Sequence, residues 1–238
     1  METDKFFISE RDRELHLSQA FPMLMRKVYT WMTLALAITG ITAYGIANSP
    51  NLMMMIYTNP AIMWVVIIAE LALVIGVTSA INRLSLATAT MLFILYSVLN
   101  GVMLSSIFLA YSTTVITKVF LITSCTFGSM AALGYFTKSD LSSIGKIAIM
   151  ALIGLIIASV VNIFMKSSGF DMIISYVGVL VFVGLTAYDS QKIKNMLLTR
   201  DEMSESTQKL ALLGSLSLYL DFINLFLYLL RIFGRNND

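Results

Sequence analysis

Apolar residues run along this chain in seven long blocks separated by short polar breaks. A helix needs about 20 apolar residues to cross a hydrocarbon core about 30 Å thick. Blocks of that length predict membrane spans at roughly Leu24–Ala47, Pro60–Ala80, Leu86–Ala110, Val115–Phe136, Ile144–Met165, Met172–Gln191 and Leu210–Ile232. The breaks carry turn residues, as at Asn48-Ser49-Pro50-Asn51, Asn82-Arg83, Ser112-Thr113-Thr114, Thr137-Lys138-Ser139-Asp140 and Lys166-Ser167-Ser168-Gly169. The one sizeable loop is expected from Lys192 to Lys209. Pro22, Pro50 and Pro60 are placed at or outside helix ends, where a missing N–H costs little. With no proline at membrane depth, the broken helices of many transporters are not expected. No internal repeat is evident. The pattern predicts an all-α integral membrane protein: a polar cytoplasmic segment over residues 1–22, then a single seven-helix domain over 23–235.

Composition sharpens this picture. The 238 residues are 58% hydrophobic and 13% charged, against about 25% charged in soluble domains, and the mean hydropathy is +0.82. Such a chain cannot cover itself with polar surface, so the lipid bilayer is its expected solvent. A formal charge of +2, with no dense basic stripe, gives no reason to expect a nucleic-acid partner. The single cysteine, Cys125, and the single histidine, His16, exclude an intrachain disulfide, a zinc site of several His or Cys, and a serine protease with its histidine in the membrane. No cleavable signal peptide is expected, because Met1–Ala20 is charged and mixed in sign. Of the sixteen Lys and Arg, twelve fall on the side of the N-terminus if there are seven spans. The positive-inside bias then predicts a cytoplasmic N-terminus and an external C-terminus.

Ionisable residues inside spans are costly and are candidates for function. Glu70 lies mid-way along the second predicted span, Asp189 near the cytoplasmic end of the sixth, and Asp221 near the middle of the seventh. Arg83 closes the second span, and Asn100, Asn162 and Asn224 also fall within spans. Gly214, Ser217, Asp221, Asn224 and Tyr228 follow steps of three and four, which put them on one helical face. A small-and-polar stripe in lipid turns toward protein or water, so the last helix is expected to be central, with Asp221 inward. Ser217 and Asn224 can equally serve as polar glue between helices. Asp189 precedes Lys192 and Lys194 by one turn, so it is either a solvated interfacial residue or a partner for Asp221 if the sixth helix runs long or tilts. Glu70 has apolar neighbours at helical spacing, which favours a protonated, hydrogen-bonded acid inside the bundle. Met53-Met54-Met55 is read as soft packing in an outer loop region rather than a metal site.

The segments Leu185-Thr186-Ala187-Tyr188-Asp189-Ser190-Gln191-Lys192-Ile193-Lys194 and Leu216-Ser217-Leu218-Tyr219-Leu220-Asp221-Phe222-Ile223-Asn224-Leu225-Phe226 strongly resemble the Bax inhibitor-1 family. Ala69-Glu70-Leu71 and Asn100-Gly101 are weaker echoes. The resemblance implies seven helices with the last wrapped by six, no cofactor, and a pH-sensitive calcium leak. It implies that Asp189 and Asp221 pair and sense protons, and that an arginine near the inner end of the second helix engages them. Arg83 is the candidate, at a longer spacing from Glu70 than the family pattern. Two carboxylates in hydrogen-bond reach cannot both ionise cheaply and titrate as a unit. The singly protonated pair can join two helices through a charge-assisted hydrogen bond. The fully ionised pair repels and offers oxygen ligands to a hard cation such as Ca²⁺, bound in transit.

Two aspartates on consecutive helices also suit an intramembrane aspartyl protease. Asp221 follows Leu218-Tyr219-Leu220 rather than Gly-x-Gly, and no proline follows Pro60, so no enzyme activity is expected. The alternatives are a non-conducting regulator that binds other membrane proteins, such as a quality-control protease, and a proton-coupled cation exchanger. The C-terminus Arg235-Asn236-Asn237-Asp238 carries no endoplasmic-reticulum retrieval signal, and the bacterial inner membrane is the expected location.

Overall fold

A computed structural model of the chain describes residues 2–198 and 204–234, with side chains from residue 21 onward. The helices are α1 (Glu2–Ala47), α2 (Pro50–Tyr57), α3 (Pro60–Ala80), α4 (Leu86–Leu104), α5 (Ile107–Ala110), α6 (Thr113–Phe136), α7 (Ser142–Met165), α8 (Ser168–Leu198) and α9 (Glu205–Gly234). There is no strand among the described residues. Seven stretches are long and apolar enough to span a membrane, and they coincide with the seven predicted blocks. The chain is an integral membrane protein.

Local chemistry sets the helix starts. Pro60 opens α3 behind Asn59, whose side chain accepts the Ala61 N–H. The Ser85 and Ser112 side chains accept main-chain N–H groups of Thr88 and Val115 at the starts of α4 and α6. Lys166 ends α7 in the left-handed region at φ 50°, and its neighbour Ser167 donates its N–H to Asn162 Oδ1.

The structure corrects some expectations and refines others. Pro22 lies inside α1, because the backbone helix extends through the polar segment. Met53-Met54-Met55 lies between the first two spans, as expected, within the short helix α2 opened by Pro50. The third apolar block forms the span Leu86–Ala110 as expected, with a turn at Ser105-Ser106 between α4 and α5. The sixth span runs seven residues past Gln191 to Leu198, and the seventh begins at Glu205. The expected loop from Lys192 to Lys209 is therefore mostly helix, with only residues 199–203 outside the described part. The longer helices follow from burial of Ile193, Leu197 and Thr207, which continue the helical packing beyond the apolar block.

The residues form two compact units: Met1–Ile107 with Ile193–Leu216, and Phe108–Lys192 with Ser217–Asp238. In the first, α1 packs along α4, and α3 packs on α4. Gly101 permits the close approach, since a Cβ there would stand 2.6 Å from Thr42 Cβ, and Thr39 donates to the Ser97 carbonyl at 2.9 Å. The start of α9 is tied into this unit by Lys27, which donates to Gln208 at 2.7 Å, and by Glu205, which accepts the Leu86 N–H at 2.9 Å. Among the seven spans α9 is the most buried. By contrast α3 and α7 expose Trp64, Ile68, Leu71, Ile75, Ile153 and Ile157, an apolar surface for lipid.

Candidate functional site

The carboxyl-terminal unit is built around two carboxylates. Asp221 is 5% exposed, in the most buried span, and its stripe partner Gly214 is also buried. The neighbouring ring of Phe222 meets Phe120 and Phe127 of α6 edge-on, with centroids 5.5 and 5.4 Å away. These aromatic contacts fix the rotation of α9 at Asp221. Asp189 on α8 is close enough for its charge to act on Asp221, and Lys192 acts on Asp189 in turn. Asp189 lies inside α8, a helix of 31 residues that continues past it to Leu198.

Asp221 Oδ2 is buried without a hydrogen-bond partner. The other buried, unpartnered side-chain atoms among the described residues are Glu70 Oε1 and Asn100 Oδ1. All three are acceptors, so what they lack is a donor or a cation. Glu70 and Asn100 belong to the amino-terminal unit, where the charge of Glu70 acts on Tyr96 and the Asn100 side chain bonds to Tyr96. Glu70 is half-buried, and its Oε1 makes no hydrogen bond.

A family model described as inhibitor of apoptosis-promoting Bax1 matches residues 22–238. The chain is 50% identical over 213 residues to the inner membrane protein YbhL of Escherichia coli K12, covering 88% of this chain and 90% of the relative. It is 42% identical over 232 residues to an uncharacterized protein of Borreliella burgdorferi, covering 97% and 99%. It is 43% identical over 217 residues to the uncharacterized protein RP147 of Rickettsia prowazekii, covering 90% of each. The chain belongs to the Bax inhibitor-1 family.

In this Bax inhibitor-1 family member the remaining candidates divide between the two units. Arg83 is exposed in the turn that follows α3, in the amino-terminal unit, while Asp189 and Asp221 are in the other. Ser217 and Asn224 are half-buried on the stripe, and Asn224 donates back to the Leu220 carbonyl at 2.8 Å. Tyr219 is fully buried. The sequence reading passed over two features. At the far end of α8 and α9, Arg231 pairs with Asp171 at 3.1 Å and lies over the Tyr228 ring. Tyr228 in turn fits against Gly178, where a Cβ would stand 2.7 Å from the ring. Near Asp189, Ser190 and Gln191 are buried and bonded to main-chain atoms of residues 131–141. Gln191 stands inside the family motif, but nothing in the motif says what its amide touches.

Proposed function

We propose that this protein is a pH-sensitive calcium leak of the bacterial inner membrane, gated by Asp189 and Asp221. The N-terminus is cytoplasmic and the C-terminus external. The observation that carries the reading is the buried Asp221 oxygen without a partner, on the most buried span, within the field of a second carboxylate. An isolated ionised carboxylate at that depth is too costly to keep for packing alone. With one proton, the pair holds α8 to α9 through a charge-assisted hydrogen bond. With none, repulsion loosens that contact and two acceptor-only groups face a passing cation. A resident calcium site takes six to eight oxygens, whereas two carboxylates suit an ion in transit. Arg83 is assigned the role of a counter-charge at the inner side; Glu70 and Asn100 are assigned to the polar interior of the amino-terminal unit, and Ser217, Tyr219 and Asn224 to that of the carboxyl-terminal unit.

The reading is tested with purified protein in liposomes that contain a calcium dye, between about pH 5 and about pH 8. A pH-dependent flux is expected in the wild type. Asp189→Asn and Asp221→Asn should each abolish it or fix it at one level. Flux with an unaltered pH profile in both variants would sink the gating role. Folded protein that conducts nothing at any pH would favour a regulator of other membrane proteins. Obligatory counter-movement of protons would favour an exchanger.

A further inference from the structure

The turn of α8 that carries Asp189 is held at every neighbouring residue. Ala187 packs against Gly134 of α6 so closely that a Cβ at position 134 would collide with the Ala187 carbonyl oxygen. Tyr188 covers Gly145 of α7, where a Cβ would stand 2.5 Å from the ring. The Ser190 hydroxyl donates to the Ala131 carbonyl at 2.8 Å. Gln191, only 7% exposed, uses both ends of its amide. Its Nε2 donates to the Ser139 carbonyl at 2.8 Å, and its Oε1 accepts the Leu141 N–H at 2.8 Å. Leu141 stands just before α7, and its own apolar side chain makes no capping bond to that helix start. Gln191 therefore closes a two-bond clasp between α8 and the turn joining α6 to α7.

We propose that Gln191 is a positioning residue for Asp189, setting the height and rotation of α8 so that the carboxylate meets Asp221 at one fixed separation. The inference rests on the proposed carboxylate pair. Side chains two apart on a helix point about 200° from each other, so a clasp on one face of α8 fixes what the other face presents. Asp221 on α9 and Lys192 on α8 itself are the groups whose charge reaches the pair. The positions that α6 and α7 place against this turn, Ala131, Gly134 and Gly145, carry nothing that titrates. No other side-chain type offers a donor and an acceptor at the same reach: glutamate lacks the donor, methionine lacks both, and asparagine is one methylene short.

The test is an infrared titration of the full chain in lipid, following the carboxyl band that Asp189→Asn removes. Gln191→Met keeps the volume and Gln191→Asn keeps a shortened amide, so one of the two serves if the other does not fold. Either should move the midpoint of that band by at least about half a pH unit, about threefold in the proton equilibrium. On the Asp189→Asn background Gln191→Met should leave the remaining Asp221 band where it was. An unmoved midpoint in a folded but less stable Gln191→Met protein would overturn the assignment and leave Gln191 a packing residue. So would an equal shift on both backgrounds. A wild type with no titrating band that Asp189→Asn removes would overturn the carboxylate pair itself, and the inference with it.

Discussion

Asp221 combines deep burial with one oxygen, Oδ2, that bonds to nothing, so an amide in its place loses no hydrogen bond at that atom. Asp221→Asn should leave thermal stability in detergent unchanged or raise it, because a neutral amide replaces an unsatisfied acid. A fall of many degrees would mean that the acid is structural. Asp140 is the opposite case. It lies outside the spans, fully exposed, and its Oδ1 accepts the Ser142 N–H at 2.9 Å. That bond and the Ser142 hydroxyl hold its carboxyl below the usual aspartate range. A lowered folded value means that its support for the start of α7 is complete above the ordinary aspartate range and is lost as pH falls through the lowered value. Exchange of the Ser142 amide should accelerate over that acid window in the wild type and show no such step in Asp140→Asn. The polar stripe of α9 was legible in the sequence because a period of three and four survives without knowledge of any neighbour. The clasp of Gln191 was not, because its partners are main-chain atoms 50 and 52 residues away, which no local pattern reveals.

The seven spans could be read from apolar blocks alone, since in lipid the helix is the only economical way to satisfy the backbone. Helix ends were less legible. The apolar block stops where the bilayer stops, yet α8 continues to Leu198, because Ile193 and Leu197, one turn apart, remain buried. At 1.5 Å per residue its 31 residues reach about 46 Å, beyond a core of about 30 Å. Close helix contacts were also hidden, because a glycine looks alike whether its face is open or packed. Gly134→Leu and Gly101→Leu should each destabilise the fold by about 1–3 kcal/mol or more, read as a lower melting temperature. Gly40→Leu or Gly154→Leu, with nothing within 4 Å of the added Cβ, should not. Arg231 and Asp171 tie the start of α8 to the end of α9, but their side chains are 41% and 33% exposed. A double-mutant cycle with Arg231→Met and Asp171→Asn should give a coupling below about 1 kcal/mol, so this pair orients the helices more than it stabilises them.

At the scale of the whole molecule, the distribution of Lys and Arg and the odd number of spans together set the expected orientation. With Cys125 replaced by serine, a single cysteine at Thr58 should react with an impermeant reagent from outside the cell, and one at Ser139 only after the membrane is opened. The reverse pattern would invert the proposed orientation of the chain. The amino-terminal unit holds Glu70, Arg83, Tyr96 and Asn100, and the carboxyl-terminal unit holds both aspartates, so the proposed titrating pair lies within one unit. Calcium flux into liposomes, compared as a cycle of wild type, Asp189→Asn, Asp221→Asn and the double variant, tests this most directly. If the two carboxylates act as one titrating unit, the double variant should show no greater change in flux or pH profile than the more severe single variant. Single-variant effects that simply add, or a double variant that keeps the wild-type pH profile, would contradict it.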